Sequence, residues 1–338
     1  MHPITRIADW LAPGAAGLYC VPGGFHIDPS RAVERAVITH GHSDHARPGH
    51  AHVLATRETL AVMRERYGAN AGASQQALAL GEWITINGVR LKLVPAGHVL
   101  GSAQVVLEWG GARAVISGDY KRAADPTCLP FEPVRCDLFV TEATFALPVF
   151  RHERAADEIA RLLASLTTFP ERSHLVGAYG LGKSQRLIRL LRDTGYDRTI
   201  WLHGALTGLC ALYQEFGVDL GPLAPATGAP REQLRGAIIV APPSAARDRW
   251  ARRLADPVIS FASGWMRVRG RVRQSGVELP LVVSDHADWD ELTATIAETG
   301  AEDVWVTHGR EDALVYWCGT RGIRARALAL VGREDEDA

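Results

Sequence analysis

Residues 40–45 read His40-Gly41-His42-Ser43-Asp44-His45, directly after the apolar run Ala36-Val37-Ile38 and Thr39. Three imidazoles and a carboxylate within six residues, on a loop at a strand end, can turn several nitrogens and an oxygen into one small volume. Borderline divalent metals such as zinc take that donor set, at about 2.0–2.2 Å. A single histidine would be an ordinary satisfied side chain; four ligand-type residues at this spacing point to a metal loop. The same arrangement, an apolar run followed by one ligand-type side chain, recurs at His98 after 91–95, Asp119 after 114–117, Glu142 after 138–141, His286 after 281–284 and His308 after 304–307. Side chains at strand ends along one sheet edge are held rigidly yet stay open to substrate. Together these positions offer seven ligands and two spare acid–base groups, enough for two metal ions.

The elements that must hold these residues are read from periodicity. The first 145 residues are strand-rich, with short apolar runs between turn signals. Strands are expected at 35–39, 52–55 and 137–141, and a helix over 56–67. Asn87-Gly88 joins 82–86 to 89–94 as a hairpin, because Asn-Gly supplies the positive φ of a type I′ turn; Gly110-Gly111 joins 104–109 to 113–117. From Arg151 the texture becomes that of an α/β module, with a helix over 157–166, a strand, loop and helix over 174–192, and a strand at 237–241. A strand at 279–283 is expected to open a final strand-helix-strand passage that ends at 304–307. Glu334 to Asp337 form an acidic tail, expected to be disordered.

Composition bounds the class. The 338 residues carry 37 Lys+Arg against 38 Asp+Glu with 47% hydrophobic content, as expected of about two globular domains. No apolar run reaches the roughly 18 residues that span a bilayer. The first 24 residues lack the basic and apolar regions of a signal peptide, so no membrane and a cytoplasmic address are expected. Five dispersed cysteines without a Cys-x-x-Cys pair argue against a disulfide framework. The net charge of −1 hides a division: residues 151–273 hold 19 basic and 11 acidic groups, whereas 274–338 hold 5 and 14. A basic middle section can face a polyanion.

Two features of that section bear on such a ligand. Gly177-Ala178-Tyr179-Gly180-Leu181-Gly182-Lys183-Ser184 matches the Walker A pattern between a strand-like and a helix-like run. No later apolar strand of the section ends in the Asp that would coordinate magnesium. A Gly-rich loop whose amides, Lys183 and Ser184 meet a substrate phosphate is therefore favoured over an ATP site. Arg267-Val268-Arg269-Gly270-Arg271-Val272-Arg273 alternates with period 2 and, as a strand, would set four guanidinium groups on one face. With Arg247, Arg249, Arg252 and Arg253 it could track a nucleic-acid backbone, or guard a solvated edge.

The His40-x-His42-x-Asp44-His45 loop, with Asp28 upstream and His98 and Asp119 following, resembles the metallo-β-lactamase superfamily. Gly97-His98-Val99-Leu100-Gly101-Ser102-Ala103, Ser117-Gly118-Asp119-Tyr120, Thr141-Glu142-Ala143-Thr144, Ser284-Asp285-His286 and His308-Gly309 narrow the resemblance to its nucleic-acid-processing β-CASP branch. Gly17-Leu18-Tyr19-Cys20 and Ser284-Asp285-His286-Ala287-Asp288-Trp289, with the compact length, look most like bacterial exonucleases associated with DNA ligase.

The resemblance implies an α/β fold, an αβ/βα four-layer sandwich over 1–147 and 276–338. A basic, substrate-covering β-CASP-like α/β insert would interrupt it over 148–275. It also implies one metal on His40, His42 and His98, a second on Asp44, His45 and His308, Asp119 bridging them, and Asp28 orienting a ligand histidine. The metals would be zinc, with manganese accepted by the same donors. The chemistry would be phosphodiester hydrolysis. Two cations depress the pKa of a shared water and offset phosphoryl charge, while His286, held by Glu142, protonates the leaving oxygen. The expected function is a DNA exonuclease in repair, DNA preferred over RNA, working with a DNA ligase and a helicase. Alternatives are an RNA-processing nuclease on the same metals, a small ester or thioester hydrolase, against which the insert, Glu142 and His286 argue, and a catalytically silent nucleic-acid-binding partner, against which the full ligand set argues.

Overall fold

The structure, a computed structural model, describes residues 7–248, 250–254 and 256–328. The chain divides into two compact units, Met1–Arg151 with His286–Ala338, and His152–Asp285. The first unit opens with six strands that lie side by side in sequence order: β1 Leu11–Gly14, β2 Gly17–Cys20, β3 Phe25–Ile27, β4 Arg35–Val37, β5 His52–Ala55 and β6 Ser74–Ala77, with helix α1 Arg57–Tyr67 between the last two. It continues with β7 Ile84–Ile86, β8 Val89–Pro95, β9 Ala103–Trp109, β10 Ala112–Ile116 and β11 Leu138–Ala143. At the expected hairpin Asn87 and Gly88 both take positive φ, 48° and 85°, and Ile86 pairs with Val89.

In chain order the second unit then supplies strands β12 His174–Gly177, β13 Ile200–Leu202, β14 Leu223–Pro225, β15 Ile238–Ala241, β16 Val258–Ala262 and β17 Leu279–Leu281. Its helices are α2 Ala155–Thr168, α3 Lys183–Asp193, α4 Gly204–Glu215, α5 Arg231–Leu234 and α6 Arg269–Ser275. The chain returns to the first unit as α7 Trp289–Thr299, β18 Asp303–Gly309, α8 Glu311–Gly319 and β19 Arg324–Ala327.

The first unit's second sheet runs β19-β18-β11-β10-β9-β8-β7. Successive side chains of a strand point to opposite faces, and here both faces of the central strands are covered, so β9, β10 and β11 are buried at most positions. Leu91, Leu93, Val105, Leu107, Ile116 and Val140 pack with Leu18, Ile27 and Val37 of the first sheet. The alternate residues Val106, Val115, Phe139, Val304 and Val306 pack with Leu292 and Ile296 of α7 and Leu314 of α8. The far face of the first sheet, Ala36, Val53 and Ala55 among others, packs with Leu60 and Met63 of α1. Helix, sheet, sheet and helix thus stack as an αβ/βα sandwich.

The second unit holds one sheet of order β14-β13-β15-β12-β16-β17, every pairing parallel. Its central strands, such as Ile238-Ile239-Val240, are buried on both faces, as parallel strands require. Two sequence expectations differ from what is seen. The strand at 279–281 does not open the final strand-helix-strand passage: Leu279 pairs with Ser260 and Leu281 with Ala262, so it is the edge strand of the second unit, which ends at Asp285 and not at 275. The Arg-rich stretch is not a strand either; Gly264–Arg267 is a 3-10 turn and Arg269–Ser275 a helix. Arg249 and the stretch Glu334 to Asp337 lie outside the described residues. Among the described residues no helix is long and apolar enough to cross a membrane.

Candidate metal centre

The loop after β4 is built around the carboxylate of Asp28. Asp28 sits just after β3 with φ of 44°, a left-handed conformation that aspartate tolerates better than most residues. Its Oδ1 accepts the Thr39 amide at 2.7 Å, and its Oδ2 accepts the Thr39 hydroxyl at 2.6 Å. The same Oδ2 lies 2.7 Å from His45 Nδ1. That contact leaves His45 Nε2 facing Oδ2 of both Asp44 and Asp119, at 3.4 Å each. Thr39 Oγ1 also lies 3.1 Å from His40 Nδ1, so one hydroxyl serves two neighbours of the loop. Arg66 of α1 donates to the Gly41 carbonyl at 2.9 Å, and the Ala46 amide turns back to the His42 carbonyl at 2.7 Å.

Side chains from distant strand ends converge on this loop. His42 Nδ1 lies 3.1 Å from His40 Nε2 and 3.0 Å from His98 Nε2, and Asp119 Oδ2 lies 3.3 Å from His40 Nε2. His40, His42, His98 and Asp119, all buried, bring one donor atom each within 4.8 Å of the others; Asp44, His45 and His308 do the same. Asp119 reaches both groups through its contacts with His40 and His45. His308 adopts φ of 61°, strain of the kind that collects at functional sites. A third group joins Asp119 to Glu142 and His286. There His286 Nδ1 lies 2.9 Å from Glu142 Oε2, and Glu142 Oε1 accepts the Tyr120 amide at 2.8 Å.

The electrostatics describe a cluster that wants a cation. Burial opposes charge on His45, yet the carboxylates of Asp119, Asp44 and Asp28 overcome it and hold the imidazole well above its ordinary range. Burial, and then the charge on His45, push His40 well below that range. Asp119 is held well below the usual carboxylate range, His45 and His40 outweighing its burial. Burial raises Glu142, against the pull of His286. His45 Nε2 and Asp44 Oδ1 are buried with no hydrogen-bond partner. Imidazole nitrogens turned on one another among three carboxylates cannot all be satisfied by protons. The donor set fits divalent ions, and each of the two groups could hold one.

The other predicted residues fall elsewhere. Lys183 and Ser184 are fully buried at the start of α3, where neither presents to a phosphate. Ser184 Oγ donates to the Tyr179 carbonyl at 2.7 Å, and Lys183 Nζ pairs with Asp285 Oδ1 at 3.1 Å, so the Gly-rich loop is closed on protein groups. Arg267, Arg269, Arg271 and Arg273 are exposed, with Arg271 over the Trp265 ring at 5.0 Å and Arg267 paired to Glu153 at 3.1 Å. Sequence reasoning missed Thr39, whose only signal is its place before the histidine loop. It also missed Lys121, buried and paired to Glu291 at 2.7 Å.

Residues 28–167 match the sequence profile of the Metallo-beta-lactamase superfamily. A protein of Opitutus terrae named "Probable DNA ligase" is 27% identical over 331 residues, 94% of this chain and 31% of that protein. "Endoribonuclease ysh1" of Aspergillus fumigatus is 31% identical over 114 residues, 32% of this chain and 13% of that protein. The chain thus spans less than a third of the length of these two relatives. The crystal structure of a protein of unknown function from Enterococcus faecalis shares the fold, with a TM-score of 0.57 over 89% of this chain and 80% of that one, at 13% identity.

Proposed function

Since the chain carries a metallo-β-lactamase superfamily domain, we propose that it is a two-metal nuclease that hydrolyses phosphodiester bonds, acting on DNA as an exonuclease in repair. The observation that carries this reading is the buried pair of His286 and Glu142, 2.9 Å apart and grouped with Asp119. Such a pair can handle a proton, while His40, His42 and His98, and Asp44, His45 and His308, with Asp119 placed between the two groups, would hold the ions. Divalent metals bound there, zinc or manganese, would supply Lewis acidity, lowering the pKa of water and offsetting charge on the phosphoryl oxygens.

The chain's own groups do the rest. Glu142 Oε2 keeps the proton of His286 on Nδ1 and stabilises the imidazolium, so Nε2 is the atom that trades a proton with the leaving oxygen. The Tyr120 amide on Oε1 holds that carboxylate in place. Asp28 does the same for His45 through Nδ1.

DNA is favoured because the relative that spans 94% of the chain carries DNA ligase in its name, whereas the likeness to the endoribonuclease covers 32%. Joint action with a DNA ligase belongs to the same reading. The 31% identity to the endoribonuclease supports RNA as the second reading. Digestion of matched end-labelled single- and double-stranded DNA and RNA under a zinc, manganese and magnesium series separates them. DNA shortened from its ends is expected. Preferential cleavage of RNA sinks the DNA assignment, and cleavage of neither by metal-loaded protein sinks the nuclease.

A further inference from the structure

The proposed reaction needs Asp119 and His286 in register, although they lie on loops far apart in the sequence. One carboxylate laces those loops together. Glu291 Oε2 accepts Lys121 Nζ at 2.7 Å and the Asp288 amide at 3.0 Å, and its Oε1 accepts the Ala123 amide at 2.6 Å. Asp288 in turn caps α7, accepting the Glu291 amide at 3.0 Å. Between these contacts the Ala287 amide donates to the Tyr120 carbonyl at 2.7 Å. The Tyr120 amide donates to Glu142, which holds His286. Three successive residues therefore have three attachments: Asp119 in the metal-ligand cluster, Tyr120 on Glu142, and Lys121 on Glu291.

A helix cap alone does not account for this. Glutamate or glutamine completes a capping box equally well, with no need of a lysine. Lys121 is only 4% exposed, and an ammonium group is taken from water at a cost that its partner largely just offsets. A buried ion pair of that kind contributes little net stability, and what it can add is a single arrangement of the segments it joins.

We propose that Glu291, with Lys121, is a positioning residue of the reaction: it clamps the Asp119–Ala123 loop to the first turn of α7 and so sets His286 against the metal-ligand cluster. The proposal rests on the nuclease reading above. Glu291→Gln keeps one acceptor oxygen, enough for the capping box on the Asp288 amide, but breaks the charge pair and leaves an NH2 that cannot accept the Ala123 amide. With end-labelled DNA it is expected to lower kcat roughly 10-fold, the lower end of what orienting partners contribute, with KM unchanged. In a His286→Ala background the same change is expected to cost less than about 2-fold, because residues that act as a unit are not additive. An equal loss in both backgrounds, or no loss in the wild-type background, overturns the proposal. Lys121→Met combined with Glu291→Gln leaves no unpaired ammonium and replaces the single variant if that fails to fold; the same outcomes are expected of it. A wild-type chain that cleaves no nucleic acid defeats the nuclease reading separately. Amide hydrogen exchange then reads the clamp by itself: Glu291→Gln should speed exchange at Tyr120 and Ala287, and unchanged exchange at both overturns the clamp.

Discussion

Asp28 acts entirely through its neighbours, since one oxygen takes the Thr39 amide and the other is shared by the Thr39 hydroxyl and His45 Nδ1. Removing such an orienting partner typically costs roughly 10- to 100-fold in metal affinity. Asp28→Ala is therefore expected to weaken zinc binding by that factor, read by competition with a chromophoric chelator, with activity recovering at excess metal. His286 behaves differently. It is paired to Glu142, and the two candidate ligand groups around His42 and His45 do not include it. His286→Ala is expected to lower kcat by about 10²- to 10⁴-fold, the usual contribution of general acid catalysis. Metal stoichiometry, measured by elemental analysis, should stay that of the wild-type chain; loss of an ion would make His286 a ligand. The ligand-type residues are legible in the sequence because histidine and aspartate at strand ends have few other reasons to cluster. Thr39 and Lys121 are not, because their parts lie in local hydrogen bonds and a buried ion pair that residue type does not announce.

The ligand-type residues of the first unit follow or close strands of both of its sheets: Asp28 follows β3 and His40 to His45 follow β4 in the first, whereas His98 follows β8, Asp119 follows β10, and Glu142 and His308 lie at the ends of β11 and β18 in the second. Helix α1 contributes less visibly. Thr56 caps it, accepting the Thr59 amide at 3.2 Å, and its hydroxyl donates to the Gly101 carbonyl at 2.7 Å, in the loop between β8 and β9 that carries His98. A Cβ on Gly101 would meet Thr59 N at 2.7 Å, so the helix start and the loop are in direct contact. Thr56→Ala is expected to cost about 1 to 2 kcal/mol, as lost caps do, measured by urea denaturation of the metal-free protein. The Arg-rich stretch shows where element-scale reading fails. Alternation over seven residues reads as a strand, yet the same spacing on a helix sets Arg269 and Arg273 one turn apart. Only its surroundings decide, and the strand that follows, at 279–281, is drawn into the second unit by pairing with Val258–Ala262, a contact no local pattern encodes.

The two units differ in charge: His152–Asp285 holds 18 basic and 13 acidic residues, and the rest of the chain 19 and 25. A polyanion should therefore be held mainly by the second unit, whose exposed Arg267, Arg269, Arg271 and Arg273 lie within one turn and helix. Each phosphate contact contributes about 0.9 to the slope of log affinity against log salt on duplex DNA, and about 0.7 on single strands. Replacing all four arginines by alanine is expected to weaken binding to DNA of any sequence and to flatten that slope by about 2 to 3, fewer than four full contacts because Arg267 already pairs with Glu153. Fluorescence anisotropy of a labelled oligonucleotide across a salt series, in chelator so that no cleavage intervenes, reads both quantities. A slope that survives the substitutions would assign these guanidinium groups to a solvated surface and send the search for the backbone contacts to the other basic residues of the second unit.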